Sequence, residues 1–600
     1  MVSVFGLAVY THTHTHTHTH THTHTPSSRQ VLLSVGFICL FPHGATVPSS
    51  DKCYTKAVVA ADAGTCSEIG RDILKTHKGS VVDAAIATLL CLSLVNAQSM
   101  GIGGGVVFTI YNASTGTVET INARETAPMN ASENMFGNGT EKKPGLFIAV
   151  PGELHGYKLA HERYGRLNWS ELFQPSIKLA RDGFKIGKAL AKAIKENEKD
   201  ILNNAALCEV FCKSNTIILK ENDYISFPKL AHTYEKIANY GISAFYNGSL
   251  TQGIVDDIKA QGGIITREDL MNYKPVLNES ALNFTVGKYI FLAPDAPFGG
   301  PVLALILNIL KGYNLSSSSV SPIRNKTLTY HRIIEAFRFA NEKKSKLGDP
   351  SDESIRELVK NMTSESTANR IRSKIKDDIR QVKYDDNEEN YPDDDRGTSH
   401  LSIIGEDGSA VAVTSSINDY FGSKVRSNST GIIFNDQMND FCKPKQENEC
   451  NKNNRIKPGK RPLSSMCPTI ILDKHSGQVK MVVGGEGGTN ITTSVAQVGK
   501  NTEVKHELSP PQVILNYLLF GYDLQKAIEE PRVQITETAT NVEDHFDVRV
   551  TDGLRLKNHT IFHNAEVAVV QAVVREGDKV CAESDYRKGG YPAGYPEPIL

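Results

Sequence analysis

From about residue 57 onward the chain predicts one body of interleaved helices and strands. Three observations carry this. Short β-branched runs are punctuated by turn residues, Ala- and Leu-rich runs lie between them, and composition is that of a globular chain, with 40% hydrophobic and 22% charged residues. At 600 residues the chain is long enough for a large core. Its formal net charge of −1 gives no electrostatic reason to expect nucleic acid as a partner.

The elements follow in order. Residues 11–25 alternate Thr and His, a low-complexity tract with no apolar surface to bury. Residues 31–41 form an apolar run after Arg29, too short to cross a bilayer of ~30 Å. The run reads as a signal-peptide core or the remnant of a signal anchor, so 1–50 is assigned as a leader and the remainder is expected at the cell surface or secreted. Asn-X-Ser/Thr recurs from Asn112 to Asn558, which favours the same route. A strand is predicted over 58–61, helices over 65–74 and 81–94, and paired strands over 106–111 and 118–122 about a turn at 114–116. Helical patterns dominate 154–259, and an apolar helix is expected over 302–310. Residues 376–396 are rich in Asp and Glu and predict a solvated linker. Strands resume over 398–404 and 409–415, around a turn at 405–408. Cys208 and Cys212 lie four apart, a spacing open to a small disulfide loop or to metal, although no His or Cys cluster accompanies them.

The junction Gly397-Thr398 ends the acidic stretch and begins a strand. A threonine hydroxyl is a weak nucleophile until a base takes its proton. The α-amine of an N-terminal threonine, with a reference pKa of about 7.7–8.0, suits that task near neutral pH. The junction alone is weak evidence, because most Gly-Thr pairs are turn-to-strand transitions.

A wider set of motifs changes this. They are Ser99-Met-Gly-Ile-Gly-Gly-Gly105, Ile121-Asn-Ala-Arg-Glu125, Ala149-Val-Pro-Gly-Glu153, Gly397-Thr-Ser-His-Leu-Ser402, Asp407-Gly-Ser-Ala-Val411, Phe421-Gly-Ser423, Arg461-Pro-Leu-Ser-Ser-Met466, Gly487-Gly488 and Ser584-Asp-Tyr-Arg-Lys588. In order and spacing the sequence from about 56 to 595 resembles the γ-glutamyltransferases (glutathione hydrolases), members of the N-terminal-nucleophile hydrolases. The resemblance implies an α+β, four-layer αββα sandwich. It also implies self-cleavage into a large subunit, 51–397, and a small subunit, 398–600. Thr398 matches the nucleophile, and Ser416 stands where a Thr is usual and hydrogen-bonds to it. Gly487 and Gly488 match the oxyanion hole. Arg124, Ser464 and Ser465 match the groups that hold the substrate's α-carboxylate. Asn418, Gln437 and Asp440 match those that hold its α-amino group and neighbouring atoms. Cys66–Cys91 and Cys208–Cys212 match the family's disulfides.

The implied activity is cleavage of the γ-glutamyl amide of glutathione and its S-conjugates through a Thr398 ester. The group then passes to water, amino acids or dipeptides. No metal or organic cofactor is implied. Gly-Glu-Gly-Gly lacks the Lys-Ser/Thr of a phosphate loop, and Gly-Ile-Gly-Gly-Gly does not match a dinucleotide fingerprint. Three features depart from the family pattern: Ser416, Arg396 beside the junction, and an insert over 498–512 that carries Pro510-Pro511. They motivate the alternative of an unprocessed, inactive relative with a structural or binding role.

Overall fold

The computed structural model describes residues 52–136, 143–384, 397–442, 451–488, 491–495, 513–536, 539–563 and 568–596. The leader, Arg396 and the insert at 498–512 lie outside the described residues.

Two seven-stranded sheets form the centre. The first runs Ala593–Tyr595, Ala57–Ala61, Gly397–Ile404, Ala410–Asn418, Gly105–Asn112, Thr117–Ala123, Val276–Asn278. The second runs Lys52–Tyr54, Lys579–Ser584, Val569–Glu576, Val479–Glu486, Thr469–Asp473, Tyr289–Ala293, Leu282–Val286. Every pairing in both is antiparallel.

The period-2 pattern of the strands assigns their faces. Val58 and Ala60 join Ile404, Ala412, Val482 and Val573 in a cluster between the sheets. Their neighbours Val59 and Ala61 point the other way, with Leu401 and Ile403, into a cluster shared with the helices Gly64–Lys75 and Val81–Val95. On the far side Phe291, Met481, Val483 and Ala572 pack against the helices Gly300–Lys311 and Ile323–Lys344. Helix, sheet, sheet, helix is the four-layer αββα order that the family resemblance implied.

The helix Val81–Val95 shows why local sequence and packing agree. Ser80 and Asp83 form a capping box at its start, and almost every side chain along it is buried. A helix apolar on all faces belongs between layers, and this one is enclosed by the first sheet and the outer helices.

The sandwich is not uniformly apolar. Towards one end of the first sheet, His400 shares hydrogen bonds with Thr414 Oγ1 at 2.8 Å and Ser402 Oγ at 3.0 Å, and Ser402 donates to the Gln571 carbonyl. Burial holds the His400 imidazole down at about 3, so the ring is neutral. The polar layer begins at the second residue after Thr398 on the same strand face.

Three sequence expectations need correction. The stretch 376–396 is not solvated throughout. Tyr384 is buried, donates to Glu335 Oε1 at 2.7 Å and meets the Phe339 ring edge-on, while the Gln381 amide donates to Glu335 Oε2. A single aromatic ring is enough to dock the start of an otherwise acidic segment; residues 385–396 lie outside the described residues. The strand expected over 409–415 is Ala410–Asn418, and its extra residues reach the site. The region 154–259 is not helical throughout: it also holds two short antiparallel pairings, Phe184–Lys185 with Tyr224–Ile225 and Cys212–Ser214 with Ile217–Ile218.

Candidate active site

The strand Gly397–Ile404 opens directly on the junction. A register irregularity falls between Gly397 and Thr398, opposite Ser416 and Asn418. Thr398 is 3% exposed. Its hydroxyl donates to Ser416 Oγ at 3.0 Å, and the Ser416 hydroxyl donates to the Gly397 carbonyl at 2.8 Å. The Asn418 amide donates to the same Ser416 Oγ at 2.9 Å. These bonds link the Thr398 hydroxyl to the carbonyl oxygen of the bond preceding it.

A cavity lies over Thr398. Arg124, Ser416, Asn418, Gln437, Asp440, Ser464, Ser465 and Gly488 all line it. Residues from five separated stretches of sequence therefore converge on the cavity that Thr398 lines. Gly487 does not line the cavity. It turns the chain after the strand Val479–Glu486, with φ +124°, and Gly488 follows with φ +55°. Both values lie where L side chains rarely go, so glycine is needed at each.

Arg124 is almost fully buried. It donates from Nη2 to Asp440 Oδ2 at 2.5 Å and to the Leu463 carbonyl at 2.7 Å, and from Nε to the Pro462 carbonyl at 3.2 Å. Gln437 Nε2 donates to the same Asp440 oxygen at 2.6 Å. The guanidinium is thus fixed by carbonyls on one side and a carboxylate on the other. Two buried polar atoms of the cavity residues, Asn418 Nδ2 and Gln437 Oε1, have no hydrogen-bond partner among the described residues. One is a donor and one an acceptor, so these two residues keep unused hydrogen-bonding capacity of both kinds.

The Gly-rich motif has a structural role. A Cβ at Gly103 would collide with the Ile433 carbonyl, and one at Gly104 with the Ser416 carbonyl. This close approach lets Asn435 Nδ2 bond the carbonyls of Gly103 and Ala149 at 2.8 and 2.9 Å, while its Oδ1 accepts from the Gln437 amide. The motifs at 99–105 and 149–153 thereby set the loop that carries Gln437 and Asp440.

Sequence reasoning missed two cations. Lys344 ends the helix Ile323–Lys344, is 6% exposed, lines the same cavity, and donates to Ser465 Oγ at 2.5 Å. It is the second Lys of a Lys-Lys pair, and helical phase was the only signal to separate it from a surface residue. Lys588 belongs to a motif already noted, without a role. Its Nζ donates to the Thr398 carbonyl at 2.7 Å, to Asp62 Oδ2 at 2.8 Å, to Ser399 Oγ at 3.3 Å and to Glu486. Burial, with Asp62 and Asp585 adding to it, pushes the Glu486 carboxyl up to about 8 against the opposing pull of Lys588. Burial works against the Lys588 charge too, but Asp62 and Glu486 outweigh it and raise its pKa.

Among the described residues no group of three or more His, Cys, Asp or Glu side chains could hold a metal ion. No helix among them is long and apolar enough to cross a membrane.

Residues 66–595 match the profile of the Gamma-glutamyltranspeptidase family. Scoloptoxin SSD14 from Scolopendra dehaani is 41% identical over 557 residues, which cover 90% of this chain and 93% of that protein. Glutathione hydrolase 5 proenzyme from Rattus norvegicus is 39% identical over 558 residues, covering 90% and 93%. Among solved structures, the cephalosporin acylase from Bacillus halodurans superposes with a TM-score of 0.78 at 24% identity, covering 94% of this chain and 100% of that one. At that identity the likeness speaks for the fold.

Proposed function

The chain belongs to the γ-glutamyltranspeptidase family, and from that premise we propose that it cleaves γ-glutamyl amides, glutathione and its S-conjugates among them, by way of a Thr398 ester. The observation that supports this most is the one cavity that Thr398 lines together with Arg124, Asn418, Gln437, Asp440, Ser464, Ser465 and Gly488.

The first step is self-cleavage after Gly397. The Thr398 hydroxyl attacks the Gly397 carbonyl carbon and passes its proton to Ser416, while the Ser416 proton moves to the Gly397 oxygen. The hydrogen bonds between these groups match that path. As the C–N bond breaks, the proton on the Gly397 oxygen passes to the leaving nitrogen and the carbonyl reforms, which leaves Gly397 as an ester on Thr398 and frees the Thr398 amine. Water hydrolyses the ester and separates 51–397 from 398–600.

In the mature site the α-amine of Thr398 takes the hydroxyl proton as the oxygen attacks the γ-carbonyl of the substrate. The oxyanion is met by backbone N–H groups at Gly487 and Gly488. Arg124, Ser464 and Ser465 hold the α-carboxylate; Asp440, Gln437 and Asn418 hold the α-amine and its surroundings. The leaving amine, cysteinylglycine when the substrate is glutathione, departs with the proton. Water or the amine of an amino acid or dipeptide then takes the acyl group from Thr398. No step requires a cofactor.

The disulfides Cys66–Cys91 and Cys208–Cys212 support maturation in an oxidising compartment, and the exposed sequon residues Asn168, Asn247 and Asn361 suit glycosylation there. Cell-surface or secreted placement follows from that route. The inactive alternative finds no support at Ser416, whose hydroxyl keeps the bond to Thr398 expected of it.

Thr398→Ala tests the reading. We expect it to remain one chain on a reducing denaturing gel and to release no product from a γ-glutamyl anilide. Normal self-cleavage in this variant would remove Thr398 from the mechanism.

A further inference from the structure

Cys53 and Cys581 form a disulfide across 528 positions of sequence. They lie at one edge of the second sheet, where Lys52–Tyr54 pairs antiparallel with Lys579–Ser584 and Cys53 stands opposite Cys581. Packing fixes this register. Tyr54 and its partner Val580 are both buried in the cluster between the sheets, with Ala582 beside them. A slip of one residue would turn Tyr54 to the other face. Cys581 is 1% exposed, and Cys53 packs against the outer cluster that contains it.

The cut proposed above falls after Gly397, so Cys53 lies on the first piece and Cys581 on the second. The other disulfides whose two cysteines are both described, Cys66–Cys91 and Cys208–Cys212, lie wholly within the first piece. We propose that Cys53–Cys581 is a covalent tether between the two chains, so that the mature molecule is a disulfide-linked heterodimer. This rests on the self-cleavage reading. The bond forms as the two thiols lose two protons and two electrons to a disulfide oxidant of the secretory compartment, which is reduced to its dithiol.

The tether has a physical consequence. Each sheet contains strands from both pieces, which interleave as long as the fold persists. Once unfolded, untethered pieces diffuse apart, and recovery becomes bimolecular and concentration-dependent. Arg124 and Lys344 would then leave with one chain and Thr398 with the other. The tether keeps unfolding and refolding unimolecular.

The test uses full-length protein from a secretory host, with free thiols alkylated before denaturing electrophoresis with and without dithiothreitol. Wild type is expected to run as one band without reductant and two with it. Cys53→Ser should give two bands in both lanes, and Thr398→Ala one band in both. Two bands from wild type without reductant would overturn the tether while leaving self-cleavage intact. One wild-type band even with reductant would overturn self-cleavage and the tether with it. Should Cys53→Ser fail to fold, Cys581→Ser and mass analysis of an unreduced digest take its place. A disulfide-linked peptide pair containing Cys53 and Cys581 is expected, and its absence would sink the proposal.

Discussion

Ser416 does more than replace a usual threonine. Its oxygen accepts from Thr398 and from the Asn418 amide, while its one proton goes to the Gly397 carbonyl. Removing the hydroxyl breaks the proposed proton path between the Thr398 and Gly397 oxygens. Ser416→Ala is expected to slow self-cleavage by on the order of 10²-fold, in the range of a positioned acid–base group. Ser416→Thr, which adds only a methyl, should process at least as fast as wild type. Timed gels of newly made precursor read both, and equal rates for Ala and Ser would exclude the relay. Lys344 matters for a different reason. Arg124 is already matched by Asp440, so Lys344 supplies further positive charge beside Ser465. Lys344→Met should raise KM for a γ-glutamyl anilide by roughly 10-fold or more, the scale of one charged hydrogen bond, with kcat changed much less. Unaltered KM would show that the carboxylate does not use this charge.

At the scale of elements, the hairpin Gly397–Ile404 and Ala410–Asn418 was legible because its alternation and its turn at 405–408 are local signals. Its length was not, since Ser416 and Asn418 are polar and extend only because Gly105 and Gly397 pair with them. Lys344 stayed hidden for the related reason that a helix end carrying two Lys looks solvated until tertiary packing chooses one. The site residues were visible only as a family pattern, since nothing local to Arg124 or Asp440 says that they meet. The helix Glu153–Tyr164 carries a buried acid that illustrates such tertiary control. Glu153 Oε1 accepts from Tyr157 at 2.6 Å and Ser415 at 2.8 Å, and Oε2 has no partner among the described residues. Burial pushes its carboxyl up to about 8, with Glu125 adding to the rise and the two hydroxyls opposing it. The folded state therefore keeps a proton that the unfolded chain releases above its ordinary pKa of about 4.3. That contribution to stability is complete below this pH and is lost as pH rises towards 8, at up to about 1.4 kcal/mol per pH unit. Glu153→Gln keeps the shape without the proton. Its melting temperature relative to wild type should climb between pH 5.5 and 7.5, and a constant difference would mean that Glu153 is ionised in the fold.

For the whole molecule the question is how two sheets keep one site in register. Apolar packing between the sheets fills one end, and a polar layer with buried charge fills the end behind Thr398. Lys588 joins them there. It reaches Asp62 and the Thr398 carbonyl on the first sheet and Glu486 on the second, one residue before Gly487. The same ammonium therefore touches the backbone of Thr398 and the strand that leads into Gly487 and Gly488. Asp62 is secured independently by Gln571 Nε2 at 2.7 Å and by the His400 amide at 3.1 Å, so Glu486 is the partner most dependent on Lys588. Lys588→Met leaves two buried acids facing a thioether and should cost about 3–5 kcal/mol of stability, the scale for breaking a buried pair from one side. Adding Glu486→Gln removes one of the uncompensated acids and should recover part of that loss, a non-additivity of about 0.5–3 kcal/mol in a double-mutant cycle. Activity should not follow stability back, because the Thr398 carbonyl remains without its donor in the double variant. The cycle is read by thermal melts and by kcat on a γ-glutamyl anilide. Strict additivity in the melts would mean that Lys588 and Glu486 act separately. Full recovery of kcat in the double variant would mean that the hold on Thr398 is incidental and that Lys588 only balances charge.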